Sequence, residues 1–228
     1  MSVKLNVLIL CEESGVMRQA FRELGHDAWS CDIEPARDAS KYHFQDDCLD
    51  VLSKRYHEDK ALQWDLIIFH PPCEKMCVSG NRWYGKGMAM HGDRLRSISW
   101  TTCVWDHICA ATEHAAMENP VSVLWKYQNC PVDYVQPFEY GHQETKKTGL
   151  ALHNLPPLKP TNVLVIPPSG SDERKSWEKV WRMAPGPNRK RDRSETYSGI
   201  AAAAAAQWSA HILQSQQNAV ATFLEQQQ

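Results

Sequence analysis

Two hydrophobic periods take turns along the first half of the chain. Lys4 to Leu10 (KLNVLIL) is apolar with little alternation, the pattern of a strand buried on both faces. Val16, Met17, Ala20, Phe21 and Leu24 then fall on one 3.6-residue face, which predicts a helix capped by Ser14 and stopped by Gly25. Asp27 to Asp32 (DAWSCD) and Asp65 to Phe69 (DLIIF) predict two more short strands. Arg94 to Ala111 places Leu95, Ile98, Thr102, Trp105 and Ile108 at helical spacing and leads into a strand near Ala115 to Met117. A later strand is expected over Asn162 to Ile166 (NVLVI), bracketed by prolines, and a closing helix over Gly199 to Leu224, with a glutamine-rich end that frays. Strand and helix in alternation imply βαβ units, hence an α/β, Rossmann-like fold with a mostly parallel central sheet flanked by helices.

Composition narrows the picture. The 228 residues suffice for one sizeable core, no internal repeat is visible, and residues 1–228 are read as one domain. A formal net charge of -2 gives no bulk attraction to nucleic acid or anionic membrane, so any such surface must be local. The eight cysteines are scattered, several lie inside apolar runs, and no signal-like segment opens the sequence. Free thiols and a cytoplasmic setting are therefore expected, with Cys77, Cys103, Cys109 and Cys130 as buried structural thiols. No apolar run approaches the roughly 18 residues that span a bilayer, and no membrane partner is expected.

The chemistry concentrates where Asp65 to Phe69 ends in His70-Pro71-Pro72-Cys73. Neither proline can donate to a ladder and both fix φ, so the strand stops and Cys73 is delivered on a stiff turn at its carboxyl end. Open α/β sheets bind ligands there, which makes Cys73 a candidate nucleophile. The first loop, Leu10-Cys11-Glu12-Glu13-Ser14-Gly15, lacks the G-x-G-x-x-G of a dinucleotide site, and its two acids would repel a pyrophosphate. They tolerate a cationic cofactor, and Asp32 stands where an acid commonly takes ribose hydroxyls. Arg174 to Arg193 carries eight basic residues against Glu178 and Asp192, a local stripe suited to phosphate contacts. Trp177 and Trp181, four apart, are expected on one helical face packed against the body. Arg82 and Trp83, after the nucleophile turn, are placed to stack on nucleotides.

These residues together resemble the cytosine-5 DNA methyltransferases, in a compact form of the kind found in phages. Leu10 to Gly15, the following helix and Asp32 match the family's cofactor loop and acidic strand. Gln45-Asp46-Asp47 resembles its adenine-contacting turn, with Asp47 the better match. His70-Pro71-Pro72-Cys73 resembles the proline-cysteine motif, and Met117-Glu118-Asn119-Pro120 the Glu-Asn motif that holds the target base. Tyr197 to Trp208 is similar to the helix that folds back beside the cofactor.

The resemblance implies a Rossmann-like S-adenosylmethionine-dependent methyltransferase fold. It further implies methyl transfer to carbon 5 of cytosine through a covalent adduct, with Cys73 as nucleophile and Glu118, held nearly neutral in a dry pocket, at N3. Glu12, Glu13, Ser14, Gly15, Asp32, Asp47 and Pro71 would hold S-adenosylmethionine. Arg82, Trp83, Arg182, Arg189, Lys190, Arg191 and Arg193 would meet DNA, duplex or single-stranded, with a protein partner as one source of recognition.

The sequence also departs from that pattern. The first loop has Cys11, Glu12 and Glu13 where the family carries an aromatic and glycines. Gln143 to Lys147 (QETKK) stands where an arginine pair belongs. Residues 148–195 are a reduced, basic stand-in for a large recognition region, ahead of the closing helix and tail at 199–228. Three competing classes remain to compare. A zinc deaminase needs H-x-E and P-C-x-x-C, whereas the spacing here is Cys73-x-x-x-Cys77 without an upstream H-x-E, so no metal is expected. An amino-group methyltransferase has no use for the cysteine. The alternative that remains is a catalytically silent methyltransferase fold that binds DNA or a protein.

Overall fold

A computed structural model describes residues 3–53, 63–187 and 189–226, apart from the side chain of Lys190. In chain order the elements are β1 (Asn6–Leu10), α1 (Val16–Glu23), β2 (Asp27–Asp32), β3 (His43–Gln45), α2 (Cys48–Ser53) and β4 (Leu66–Phe69). There follow α3 (Asn81–Tyr84), α4 (His91–Ala111), β5 (Ala115–Pro120), β6 (Val132–Val135) and β7 (Thr148–His153). The chain closes with α5 (Asp172–Ser176), α6 (Lys179–Arg182), α7 (Arg189–Ser194) and α8 (Ser198–Glu225). The strands form one sheet in the order β3-β2-β1-β4-β5-β7-β6. Pairings from β3 through β5 are parallel, and those of β7 with β5 and β6 are antiparallel. The expected α/β, Rossmann-like fold with a mostly parallel central sheet is thus the fold found.

The lack of alternation in β1 and β4 has a direct cause, because both faces of the sheet are covered. Val7 and Ile9 face a core shared with Met17 and Phe21 of α1 and with Ala201, Ala204, Ala205, Trp208 and Ile212 of α8. Leu8 and Leu10 face a second core built with Ile98, Val104, Trp105 and Ile108 of α4. The alanine run of α8 is what lets that helix lie close against α1. Burying Trp208 and Phe21 removes large apolar areas from water, each worth roughly 2–3 kcal/mol.

Several expectations are corrected. Asn162 to Ile166 is not a strand: Asn162 bridges Tyr140, the Leu164 N–H reaches Phe138 O at 2.8 Å, and Val163 and Val165 are exposed. Pro160 and Pro167 bracket the run without N–H donors, and the antiparallel edge is already taken by β6 and β7. On α4, Leu95 is exposed and Arg94 is buried in its place. Trp177 is buried while Trp181 is exposed, because the helix breaks between α5 and α6. All eight cysteines are free, yet Cys77, Cys109 and Cys130 are only partly buried and Cys103 is exposed. Among the described residues no helix is long and apolar enough to cross a membrane.

Candidate active site

The parallel pairing of β4 with β5 sets Phe69 beside Met117, so the segments leaving both strands run side by side. Glu118-Asn119-Pro120 stays in the ladder as the end of β5, while His70-Pro71-Pro72-Cys73 peels away as a turn. Two contacts lock them together. The Asn119 Nδ2–H donates to Pro71 O at 3.1 Å, and His70 Nδ1 lies 3.2 Å from Glu118 Oε2. Beyond Cys73 its carbonyl accepts from the N–H groups of Met76 and Cys77 at 3.0 and 2.9 Å, which closes a tight turn.

Buried Arg94 then pins the chain after that turn. Its Nε and Nη2 donate to the carbonyls of Lys75 and Cys77 at 2.6 and 3.1 Å, and Nη1 donates to Asn81 Oδ1 at 2.7 Å. A charged donor on the inner face of an otherwise apolar helix was the sequence signal for this role.

Lys146 is the group that motif spacing did not isolate. Nothing in QETKK separates it from Lys147, but the fold does. The 141–147 segment is held on one side by α8, whose Gly199 N–H donates to His142 Nε2 at 2.9 Å. A Cβ at Gly199 would fall 2.0 Å from Tyr140 O, so only glycine permits this approach. On the other side the Thr145 N–H donates to Trp177 O at 2.7 Å, and buried Glu144 accepts from the Val180 N–H at 3.4 Å. Lys147 goes to the face of Tyr134 at 4.2 Å, whereas Lys146 sends its charge toward Glu118 and Cys73.

The electrostatics follow. Burial pushes the Glu118 carboxyl up, but the His70 hydrogen bond and the charges of Lys146 and His70 outweigh it and hold the group below the usual carboxylate range. The direction is opposite to that expected of a nearly neutral acid. Cys73 is held below the usual thiol range, chiefly by the Cys77 thiol beside it, against burial and the Glu118 charge and with help from Lys146. Cys77 is pushed far up in exchange.

The cofactor-side residues divide differently. Gly15 takes the N-cap of α1 with φ 75, where it offers no side chain, so Ser14 does not cap as expected; its Oγ accepts from the Val16 N–H at 3.3 Å and donates to Glu12 Oε1 at 3.4 Å. The next two orphan donors are met by Glu12, whose Oε1 and Oε2 accept from the N–H groups of Met17 and Arg18 at 2.6 and 3.2 Å. Burial raises Glu12, opposed by His70, by those two N–H groups and by Arg18. Glu12 is thus withdrawn from the surface, while Glu13 stays half-exposed in an ion pair with Arg37 at 2.7 Å. Arg37 also binds Glu195 at 2.8 Å, joining this loop to the segment before α8.

Asp32 ends β2 with Oδ1 accepting from the Glu34 N–H at 3.0 Å, and burial and the Glu13 charge raise its carboxyl. Exposed Asp47 starts α2, with Oδ1 accepting from the Leu49 N–H at 2.8 Å. Pro71 belongs to the turn that carries Cys73, through its carbonyl. Among the described residues no group of three or more His, Cys, Asp or Glu is arranged to hold a metal.

The nucleic-acid candidates are only partly gathered. The charge of half-buried Arg193 acts on Cys77 as the smallest of several influences. Exposed Trp83 carries Arg82 5.0 Å from its ring. Arg182 is paired with Glu178 at 2.9 Å, Arg191 with Asp192 at 3.2 Å, and Arg189 donates to Met183 O at 2.9 Å. The Lys190 side chain lies outside the described residues.

No family model matches the sequence, and no curated protein does. Among solved structures the chain is similar to a methyltransferase of Entamoeba histolytica, EhMeth, at 16% identity over 72% of this chain and 59% of that one, with TM-score 0.48. It is also similar to the Dnmt2 methyltransferase of S. pombe, at 17% identity over 66% of this chain and 49% of that one, with TM-score 0.42. The chain thus spans between about half and three fifths of the length of these two proteins.

Proposed function

We propose that this chain transfers a methyl group from S-adenosylmethionine to carbon 5 of cytosine in DNA through a covalent adduct with Cys73. The observation that carries this reading is the thiol of Cys73, held below its usual range, beside a Glu118 carboxylate and the Lys146 charge on one cleft edge. Carbon 5 becomes nucleophilic only after something adds at carbon 6, and a partly ionised thiol does this well. Glu118 would then hold the exocyclic amine and N3, and Lys146 offers a cation to the carbonyl oxygen of the base. A base in duplex DNA must be flipped out to reach them.

The cofactor-side residues fit S-adenosylmethionine once Glu12 is removed from the set. Asp32 would take the ribose hydroxyls, Asp47 the adenine amine, and Glu13 the methionine amine, with Ser14 and Gly15 forming the turn and Pro71 flanking it. The bound sulfonium supplies the methyl group. Arg193, with Arg82 and Trp83, would meet the flanking nucleotides, and the remaining basic residues would meet phosphates further out.

The test is a 5-fluorocytosine oligonucleotide incubated with S-adenosylmethionine and the protein, followed by mass spectrometry of tryptic peptides. An adduct on the Cys73 peptide is expected, and none with Cys73→Ser, which should still bind the cofactor. Methyl transfer that survives Cys73→Ser sinks the covalent mechanism. Calorimetry showing DNA binding without cofactor binding would favour the silent, binding-only alternative.

A further inference from the structure

We infer that His70 supplies, through Glu118, the proton that N3 of the base takes up when Cys73 adds to carbon 6. The inference rests on the reaction proposed above and adds to it a residue that acts through another. Nδ1 of His70 lies 3.2 Å from Glu118 Oε2, and only a tenth of the His70 side chain is exposed. Its Nε2 is buried without a hydrogen-bond partner among the described residues. The ring lines a cavity with Met17, Glu118, Lys146, Thr148 and Tyr197. The imidazole therefore has one nitrogen on the carboxylate and the other in an enclosed space.

Charged groups face the ring from several elements. Glu118 faces it from β5, and Glu12 from the loop between β1 and α1, backed by Arg18 of α1. Lys146, ahead of β7, and Cys73, on the same turn as the ring, act on Glu118 and are the opposing cation and the nucleophile. Tyr197, at the start of α8, is pushed up by burial and remains a neutral hydroxyl. Glu118, held below its usual range, has no proton of its own to give near neutral pH. The imidazole in contact with it at 3.2 Å is the group placed to pass one on.

The step balances as follows. The Cys73 sulfur forms a bond to carbon 6, and the electron pair of the 5,6 double bond is delocalised toward N3. N3 takes the proton from the Glu118 carboxyl as that carboxyl takes the His70 Nδ1 proton, leaving neutral imidazole. When the adduct collapses, carbon 5 loses a proton to solvent, the carbon–sulfur bond breaks, and the N3 proton returns through Glu118 to His70. His70 is a positioning residue in this scheme, since it does not touch the base.

Exchange of the carbon-5 hydrogen of a cytosine oligonucleotide in deuterated water, without cofactor, reads addition and protonation alone. The rate is measured from about pH 5 to pH 9, the span over which histidine titrates, for the wild type, His70→Gln, and His70→Ala with and without free imidazole. Glutamine preserves a donor toward Glu118 but holds no transferable proton. We expect His70→Gln to fold and to exchange at least about 30-fold more slowly, within the usual range for general acid catalysis. Its profile should lose the alkaline decline of the wild type, and imidazole should restore several-fold activity to His70→Ala. Exchange by His70→Gln within threefold of wild type, with the same profile, overturns the relay and leaves the proposed reaction standing. A lack of imidazole rescue in folded His70→Ala also counts against the relay. A wild type that neither exchanges nor forms the 5-fluorocytosine adduct removes both.

Discussion

Glu118 and Glu12 stand at the carboxyl ends of β5 and β1, on either side of β4, and the His70 imidazole acts on both. Glu118 is left with the His70 hydrogen bond and the Lys146 charge, and its own charge acts on Cys73. Glu12 is spent on two backbone donors of α1, because Gly15 at the N-cap has no side chain to offer. One edge of the cleft keeps its polar groups available for chemistry, and the other uses them to close the fold. The lesson is that two buried carboxylates of similar sequence context separate by what their hydrogen bonds go to.

The sharpest break of this comparison is Glu118→Gln against Glu12→Gln. Glu118→Gln should lower the methylation rate by about 10²- to 10⁴-fold, the usual worth of a general acid, with little change in fold. Glu12→Gln keeps an acceptor oxygen and should lose less than about tenfold, a ceiling set by at most one charge-assisted hydrogen bond. Equal losses would mean that Glu12 acts in the chemistry after all.

Arg94 comes next in size. Arg94→Ala would strand the carbonyls of Lys75 and Cys77 and the Asn81 side chain, at about 1 kcal/mol each, so a loss of roughly 2–4 kcal/mol is expected in urea unfolding. Adduct formation should slow in the same variant under conditions where it stays folded, because the turn beyond Cys73 is no longer pinned. Unchanged adduct rates would show that the turn holds itself.

How far the sequence could reach is clearest at these same residues. Cys73 and Glu118 were legible because an apolar run ending in paired prolines, and a Glu-Asn-Pro at the end of a short strand, specify backbone position directly. β2, α1 and α8 were legible from period alone. β7 was not: TGLALH is short, carries a glycine at its second position, and sits antiparallel between β5 and β6, which both precede it in the chain. With β7 went Lys146, whose direction depends on contacts from α8 and the α5–α6 break rather than on spacing. The NVLVI run shows the converse, since strand-like residues between prolines found no ladder to join. The hold of Glu12 on the Met17 and Arg18 N–H groups was not legible either, because such capping from upstream has no periodic signature.

The pH dependence separates the two carboxylates with opposite sign. Glu118 is depressed in the folded state, so its contribution is complete above the ordinary carboxylate range and is lost as pH falls through the folded value. Glu12 is raised, so its contribution is present below the ordinary range and is lost as pH rises through the folded value. Relative to wild type, Glu12→Gln should therefore gain stability between about pH 4 and pH 8, and Glu118→Gln should lose it. Urea midpoints at both ends of that window give the sign. Glu12→Ala, which removes the cap as well, should cost about 1–2 kcal/mol at either pH.

The smallest effect tests whether Glu13 belongs to the available edge or to the closed one. Arg37 binds Glu13 and Glu195 through half-exposed ion pairs, so Arg37→Ala should cost less than about 1 kcal/mol, and less still in high salt. The same change frees the Glu13 carboxylate for the cationic end of S-adenosylmethionine. A Kd about threefold tighter at low salt is expected by calorimetry, in line with the modest worth of an exposed charge pair. Weaker binding would mean that the Arg37 clasp orders the loop before any cofactor arrives, and Glu13 would then join Glu12 as a carboxylate spent on the fold.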